Sequence, residues 1–289
     1  MKLLLLSILF FNVIFAQNEF PGYPVYPDYF FIAESEYEYQ AESIALFARM
    51  TTEPDEARKQ LIDGLITNLK TAGLWSGFDC FWIFAAHDEQ AALLNWIEDN
   101  HNCIEVDDPA FEIDRGYTGG PPTYLTTGFN PSTADGNFSL NSSSIGVYSR
   151  IASTGALIDI GCYDFSAFTV VGCRYSTTNT FRSGMSSGSL SNFTNANSLG
   201  LHVVSRVDNS NLIFYKNAEE GISVSNASVA LTNEEFFVLA ANSVGTPQNF
   251  TNRQIALAFI GRSLTENEKE TLFNIIETYL DAIGAGVVD

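Results

Sequence analysis

Leu201-His-Val-Val-Ser-Arg-Val207 and, after a polar break, Asn211-Leu-Ile-Phe-Tyr-Lys216 decide how this chain is read. Both are short apolar runs of strand length, bounded by small polar residues. The pattern recurs through a nearly Lys-free region from Phe111 to Gly261 that is dense in Ser, Thr, Asn and Gly. Ser144-Ile-Gly-Val-Tyr-Ser149, Ala156 to Tyr163, Phe236 to Ala240 and Gln254 to Ile260 read as core strands, and Tyr124 to Phe129 as a shorter one ending at Asn130-Pro131. Many short strands with turn chemistry between them predict an antiparallel two-sheet sandwich. The segment after it differs in kind. Leu272, Ile275, Ile276, Tyr279, Leu280 and Ile283 share one helical face, Thr265 with Glu268 forms a capping box, and Gly284 supplies the stop.

Upstream, residues 46–109 read as a small α/β unit. Thr52, Pro54 and Asp55 signal a helix start, Leu61, Leu65 and Leu69 share a face, and Gly73 ends it. Phe81-Trp82-Ile83-Phe84-Ala85 is a continuous apolar strand of the doubly buried sort. Asp88 caps a second helix whose Leu93, Leu94, Trp96 and Ile97 face inward. A unit this small holds no core alone, so it is expected to dock on the strands downstream of it.

The N-terminus sets the expected compartment. Lys2, an apolar run from Leu3 to Phe15, and Ala16 before Gln17 match a cleaved secretory signal over residues 1–16. The run is shorter than the roughly 20 residues of a spanning helix, so no membrane insertion is expected after cleavage. Residues 17–45 form a Pro-, Tyr- and Glu-rich lead-in. The remainder, 110–289, is assigned to the sandwich and its C-terminal helix.

With 34 acidic and 14 basic residues the formal net charge is −20. Nucleic-acid binding rests on Lys and Arg neutralising phosphates, so that class is excluded. The four cysteines lack any Cys-x-x-Cys spacing, which argues against a zinc site. In an exported chain, Cys162 with Cys173 could be bridged across a hairpin, and Cys80 with Cys103 less readily; free buried thiols are the alternative.

Catalytic constellations are absent from the sequence. No paired-carboxylate strand motif of the glycosidase type appears, Glu234-Glu235 reads as a solvated turn, and no Gly-x-Ser-x-Gly elbow precedes a helix. His87, His101 and His202 are scattered, and His202 reads as a structural strand histidine. A non-enzymatic protein is therefore expected. Tyr117, Tyr124, Tyr175 and Phe193, with Asn-rich loops, are the candidate aromatic platform for a sugar. The sequons at Asn137, Asn141, Asn192, Asn226 and Asn249 read as incidental.

Several segments together resemble a known family. Phe47-Ala-Arg-Met-Thr-Thr52, Leu74-Trp75, Phe84-Ala-Ala86, Leu93-Leu-Asn-Trp96 and Asn102-Cys103 precede Phe111-Glu-Ile-Asp-Arg-Gly-Tyr-Thr-Gly119 and Tyr124-Leu-Thr-Thr-Gly-Phe-Asn-Pro131. Ser144 to Arg150 and Ile260-Gly-Arg-Ser-Leu-Thr-Glu266 complete the set. Over residues 46–285 the chain resembles phage and prophage virion-associated proteins with a concanavalin A-like (laminin G-like) jelly-roll sandwich. The resemblance implies a recognition module on a virion or outside the cell, binding a glycan or a cell-surface or virion protein. Its alternative is a tail- or capsid-associated structural protein without a ligand; a polysaccharide-cleaving enzyme comes third. No cofactor is expected, although laminin G-like modules often carry a rim calcium. Asp107, Asp108, Asp114, Asp135 and Asp208 have the right type for that ion, but no dedicated loop assigns them. A leader is unusual for a component assembled in the cytoplasm, and it suits a secreted or cell-surface relative.

Overall fold

The computed structural model describes residues 37–155, 157–175 and 179–288. The signal expected over 1–16 and most of the lead-in, 17–36, lie outside them, as does Ala156. The helices and strands of the sandwich all fall within one compact unit, Tyr39–Asp289.

Two β-sheets form that sandwich, with helices on the outer face of one of them. In chain order the elements are α1 (Ala41–Phe47), α2 (Glu56–Thr71), β1 (Phe78–Ile83), α3 (Glu89–Ala92), β2 (Ile104–Val106), β3 (Ala110–Glu112), β4 (Gly116–Thr118), β5 (Tyr124–Thr126) and β6 (Ser143–Ser149). They continue as β7 (Ile160–Tyr163), β8 (Phe168–Tyr175), β9 (Thr180–Ser187), β10 (Ser191–Thr194), β11 (Gly200–Arg206), β12 (Asn211–Lys216) and β13 (Ile222–Ser225). The last are β14 (Phe237–Val238), β15 (Ala241–Ser243), β16 (Thr246–Gln248), β17 (Gln254–Gly261) and α4 (Glu266–Ala282). Sheet 1 runs β13-β12-β11-β6-β17-β4-β3, with β1 also on β17; sheet 2 runs β10-β9-β8-β7-β14-β5-β2, with the β15–β16 hairpin alongside β7. Every pairing is antiparallel except β15 with β7. The expected mainly β, two-sheet sandwich with a docked C-terminal helix is what the chain forms, and it is consistent with a jelly roll.

The pleat sorts side chains between two cores. In sheet 1, Trp82, Ile145, Val147, Val204, Phe214 and Ile260 point at sheet 2, where Leu125, Ile160, Val171 and Phe181 meet them. Alternate residues, among them Phe81, Ile83, Tyr148, Val203, Leu257 and Phe259, point the other way and pack under α2 and α4. Sheet 1 is therefore buried on both faces, which is why its strands read as unbroken apolar runs. From α4, Leu272, Ile276 and Leu280 are fully buried, each worth about 1.5–3 kcal/mol relative to exposure. The capping box of Thr265 and Glu268 is formed. On α2 the cap is Asp55, whose side chain accepts from the Arg58 amide. The second helix is one turn, Glu89–Ala92, capped by Asp88; beyond it the chain leaves helical geometry to serve the edge of β1.

The helix–strand–helix segment does more than dock. β1 pairs with β17 from Phe78↔Gly261 to Ile83↔Leu257, end to end with β4, which pairs with the start of the same strand. Residues 46–109 thus contribute a member of sheet 1, and no break in the fold falls at residue 110. Among the described residues, no helix is long and apolar enough to cross a membrane.

Of the two possibilities left open for the cysteines, bridges or free buried thiols, the structure has the second: no disulfide joins Cys162 to Cys173 or Cys80 to Cys103, and all four are free and buried. Register keeps the first pair apart. Cys162 faces Thr169 across the β7–β8 pair, and Cys173 lies four residues further along β8. At about 3.3 Å per residue that is roughly 13 Å, well beyond the roughly 4.4–6.8 Å between Cα atoms that a bridge needs.

Candidate functional site: a polar groove at the end of the sandwich

The exposed edge of β1 would be a template for stray pairing if nothing covered it. Asn95 covers it. Its Oδ1 accepts from the amides of Phe81 and Ile97, and its Nδ2 donates to the carbonyls of Asp79 and Asn100. The Trp96 amide donates to the Phe81 carbonyl at 2.9 Å, extending the pairing by one more bond. This buried amide fixes residues 97–101 as one wall of a groove.

Asp79, also on β1, fixes the opposite wall. Its two carboxylate oxygens accept from the amides of Asn137 and Phe138 at 2.6 and 2.7 Å. The approach is so close that a Cβ on Gly136 would sit 2.4 Å from Asp79 Oδ1; only glycine fits there. The Asn137 side chain then donates to the carbonyls of Ser76 and Phe78. Burial pushes the Asp79 carboxyl above its ordinary value, and the two loop amides only partly offset that. Glu235 braces the same wall by accepting from the Gly128 amide at 2.7 Å. It is a structural brace, not the freely solvated turn residue expected from the sequence.

Between these walls lies a groove of about 640 Å³, within the range of small-ligand sites. Trp75, Phe78 and Phe129 supply apolar surface; Asn100, His101, Asn130 and Asp135 supply hydrogen-bonding groups. His101 is in the left-handed region, φ 56°, which is unusual for a residue with a Cβ. Its carbonyl accepts from Trp82 Nε1, its amide donates to Asn100 Oδ1, and its ring packs edge-on against Phe129. The imidazole is thus presented at the groove by a backbone that its neighbours over-determine.

The other sequence candidates disperse. Tyr117 is fully buried and donates to Glu105. Tyr124 packs on Phe237 at 4.5 Å between centroids, and Phe193 packs against the main core. Tyr175 lies on the outer face of sheet 2, with the Arg182 guanidinium 3.9 Å over its ring. His87 bonds to the Thr52 carbonyl. His202 is wholly buried, between the Gly200 carbonyl and the Asn195 amide. Of the aspartates, Asp114 pairs with Arg58 at 2.6 Å and Asp208 caps its own turn. Asp107 and Asp108 stand exposed after β2, and only Asp135 reaches the groove. Among the described residues, no three His, Cys, Asp or Glu side chains converge as metal ligands. Two sequons are structural: Asn137 in the groove wall and Asn226, buried between Arg206 and Ser191. Sequence reasoning does not find Asn95 and Asp79. Both are polar residues beside an apolar strand, a signal that marks a strand edge without naming its partner.

No protein-family model and no curated protein matches the chain. Solved structures resemble it. The binding domain of Paraclostridial Mosquitocidal Protein 1 aligns with TM-score 0.51 and 13% identity, over 69% of this chain and 52% of that one. Domain 4 of AbnA, an extracellular arabinanase of Geobacillus stearothermophilus in complex with arabinotriose, gives 0.45 and 16%, over 68% and 98%. A Trypanosoma rangeli sialidase mutant displaying trans-sialidase activity gives 0.49 and 12%, over 81% and 40%. The chain thus spans all but a sliver of the AbnA domain, about half of the mosquitocidal protein's binding domain and two-fifths of the sialidase. The first of these likenesses agrees with the β-sandwich described above.

Proposed function

We propose that this protein is a non-enzymatic recognition module, acting outside the cell, whose end groove binds a neutral glycan. The observation that carries the reading is the groove's lining: amides, carboxylates and an imidazole set among three aromatic rings on walls fixed by Asp79 and Asn95. Sugars present hydroxyls to such amides and C–H faces to aromatic carbon. Asp79, Glu98 and Asp135 line the groove with no Lys or Arg among its residues, so a sialylated or sulfated chain would be repelled. The carboxylate best placed for chemistry, Asp79, spends both oxygens on loop amides, which supports binding rather than turnover. A domain of the same fold serves as a binding domain in the mosquitocidal protein, so the scaffold accommodates recognition. The phage-structural alternative has the sequence resemblance behind it and no particular feature of the groove.

Glycan-array binding of the mature chain, followed by calorimetry on the best neutral hit, tests the reading. Replacing Asn100 and His101 together by Ala should weaken binding at least tenfold, about 1.4 kcal/mol, and chelation of divalent cations should leave the affinity unchanged. Absence of any glycan hit, or binding indifferent to the double substitution, would overturn the assignment. Release of reducing sugar would overturn its non-enzymatic part.

A further inference from the structure

A second groove, of about 650 Å³, runs beside the last turns of α4 and shares no residue with the first. Its chemistry is different. Glu277, on α4, lines it and is only 9% exposed. Glu277 Oε1 accepts from the Tyr148 hydroxyl at 2.8 Å and from the Val288 amide at 3.4 Å. Oε2 is buried with no hydrogen-bond partner. A buried carboxylate oxygen left unpaired is costly, and such a group calls for an occupant that would pair it.

Three features define that occupant. Asp281 stands one turn further on, and a Cβ on Gly286 would lie 1.9 Å from Asp281 Oδ1 and 2.9 Å from Glu277 Oε1, so the two carboxylates close on one backbone position. The last turn of α4 carries no basic residue, and the negative end of the helix dipole adds to the same field. The rest of the wall combines the apolar surface of Phe273 and Val288 with the polar side chains of Asn217, Glu219, Asn274 and Thr278. A calcium ion wants about six to eight converging oxygens, and among the described residues no three His, Cys, Asp or Glu side chains converge as metal ligands. A cation on an apolar stem matches both parts.

We infer that the α4 groove binds an ammonium or guanidinium group carried on an apolar stem, with Glu277 as its counter-ion and Phe273 and Val288 against the stem. The site is independent of the glycan reading. Lysine and arginine side chains of a partner present this chemistry, as does a free diamine. The overall excess of acidic residues, net −20, would speed the encounter with such a partner.

Titration of the full chain with N-acetyl-arginine methylamide, N-acetyl-lysine methylamide, the citrulline counterpart and 1,4-diaminobutane tests it, with the Glu277 and Asp281 side chains followed by NMR. Arginine or lysine amide should bind at least tenfold more tightly than citrulline. Glu277→Gln keeps an acceptor for Tyr148 and should lose at least tenfold in affinity; Asp281→Asn, at an exposed position, should lose severalfold and carries the test if Glu277→Gln fails to fold. Preference for the amino-acid amides over diaminobutane would identify a protein side chain as the ligand, and the reverse preference a free amine. Equal binding of citrulline, indifference to both substitutions, or calcium alone perturbing Glu277 while the amines do not, would overturn the inference.

Discussion

Arg253 and Asp159 form an ion pair with both side chains fully buried, at 2.8 Å. Burial drives the Asp159 carboxyl up, but the Arg253 guanidinium, the Cys173 amide and the Thr251 hydroxyl outweigh it and hold the group below its ordinary value. Breaking such a pair from one side strands a charge. Arg253→Met should therefore cost about 3–5 kcal/mol in chemical unfolding, while replacing both partners by apolar residues should recover most of it. His202 makes a second prediction at this scale. Burial pushes its imidazole down to about 4, so the folded state holds it neutral, with Nδ1 donating to Gly200 and Nε2 accepting from Asn195. Its folded value lies below the unfolded one, about 6.5. The unfolded state binds more protons in between, so stability is full above about pH 6.5 and falls as pH drops toward 4, by about 3 kcal/mol. Unfolding measured across that window should show this slope, and His202→Gln should flatten it. The loss tied to Asp159 begins as pH falls through the ordinary aspartate value, about 3.9, and runs on below it, so it follows that of His202 on the pH axis.

At the scale of elements, the groove is a consequence of how one edge strand is protected. β1 is paired on a single side, and its other side is closed by a side chain rather than a strand. Asn95→Ala should remove four hydrogen bonds from buried or half-buried groups at once, costing about 3 kcal/mol. Amide exchange at Ile97 should speed at least tenfold, while exchange in β6 follows only the global change. An unaltered Ile97 amide would show that Asn95 does not hold this wall. The element reading of the sequence succeeds where the period is strong, as on α4 and on β6, β11, β12 and β17. It misses β9 and β10, because Thr180-Phe-Arg-Ser-Gly-Met-Ser-Ser187 is mostly small and polar. Two of its hydroxyls are satisfied at the sheet, Ser183 Oγ donating to the Val170 carbonyl at 2.6 Å and Ser187 Oγ to the Ser189 carbonyl at 2.9 Å. Composition alone makes the segment look like loop.

For the whole molecule, the cysteines are a direct check. Burial pushes all four thiols well above their ordinary range, and a thiolate is what an alkylating reagent needs. Native protein should take up no label on any of the four, and denatured, unreduced protein should take up four. A mass lower by two hydrogens with two thiols unlabelled would show a bridge, and with it a register or redox history different from the one described. Phe165, 97% exposed at the tip of the β7–β8 turn, is the most exposed large apolar side chain of the described residues, yet the Asp164 carboxylate fixes that turn through the amides of Ser166 and Ala167.

Periodicity, caps and turn residues are local properties, and the sequence alone therefore determined β1, β6, β11, β12 and β17 of sheet 1, the capped C-terminal helix and the two-sheet class. Composition likewise determined the acidic surface and the poor fit to nucleic acid. Pairing is not local. That β1 would pair Phe78 with Gly261 and Ile83 with Leu257, far along the chain, that Cys162 would stand opposite Thr169 rather than Cys173, and that Asp79 would clasp Asn137 and Phe138 were decided only when both sheets closed on their common core. A side chain's neighbours along the chain fix which face it takes, but long-range register fixes whom it meets, and both grooves are made of such meetings.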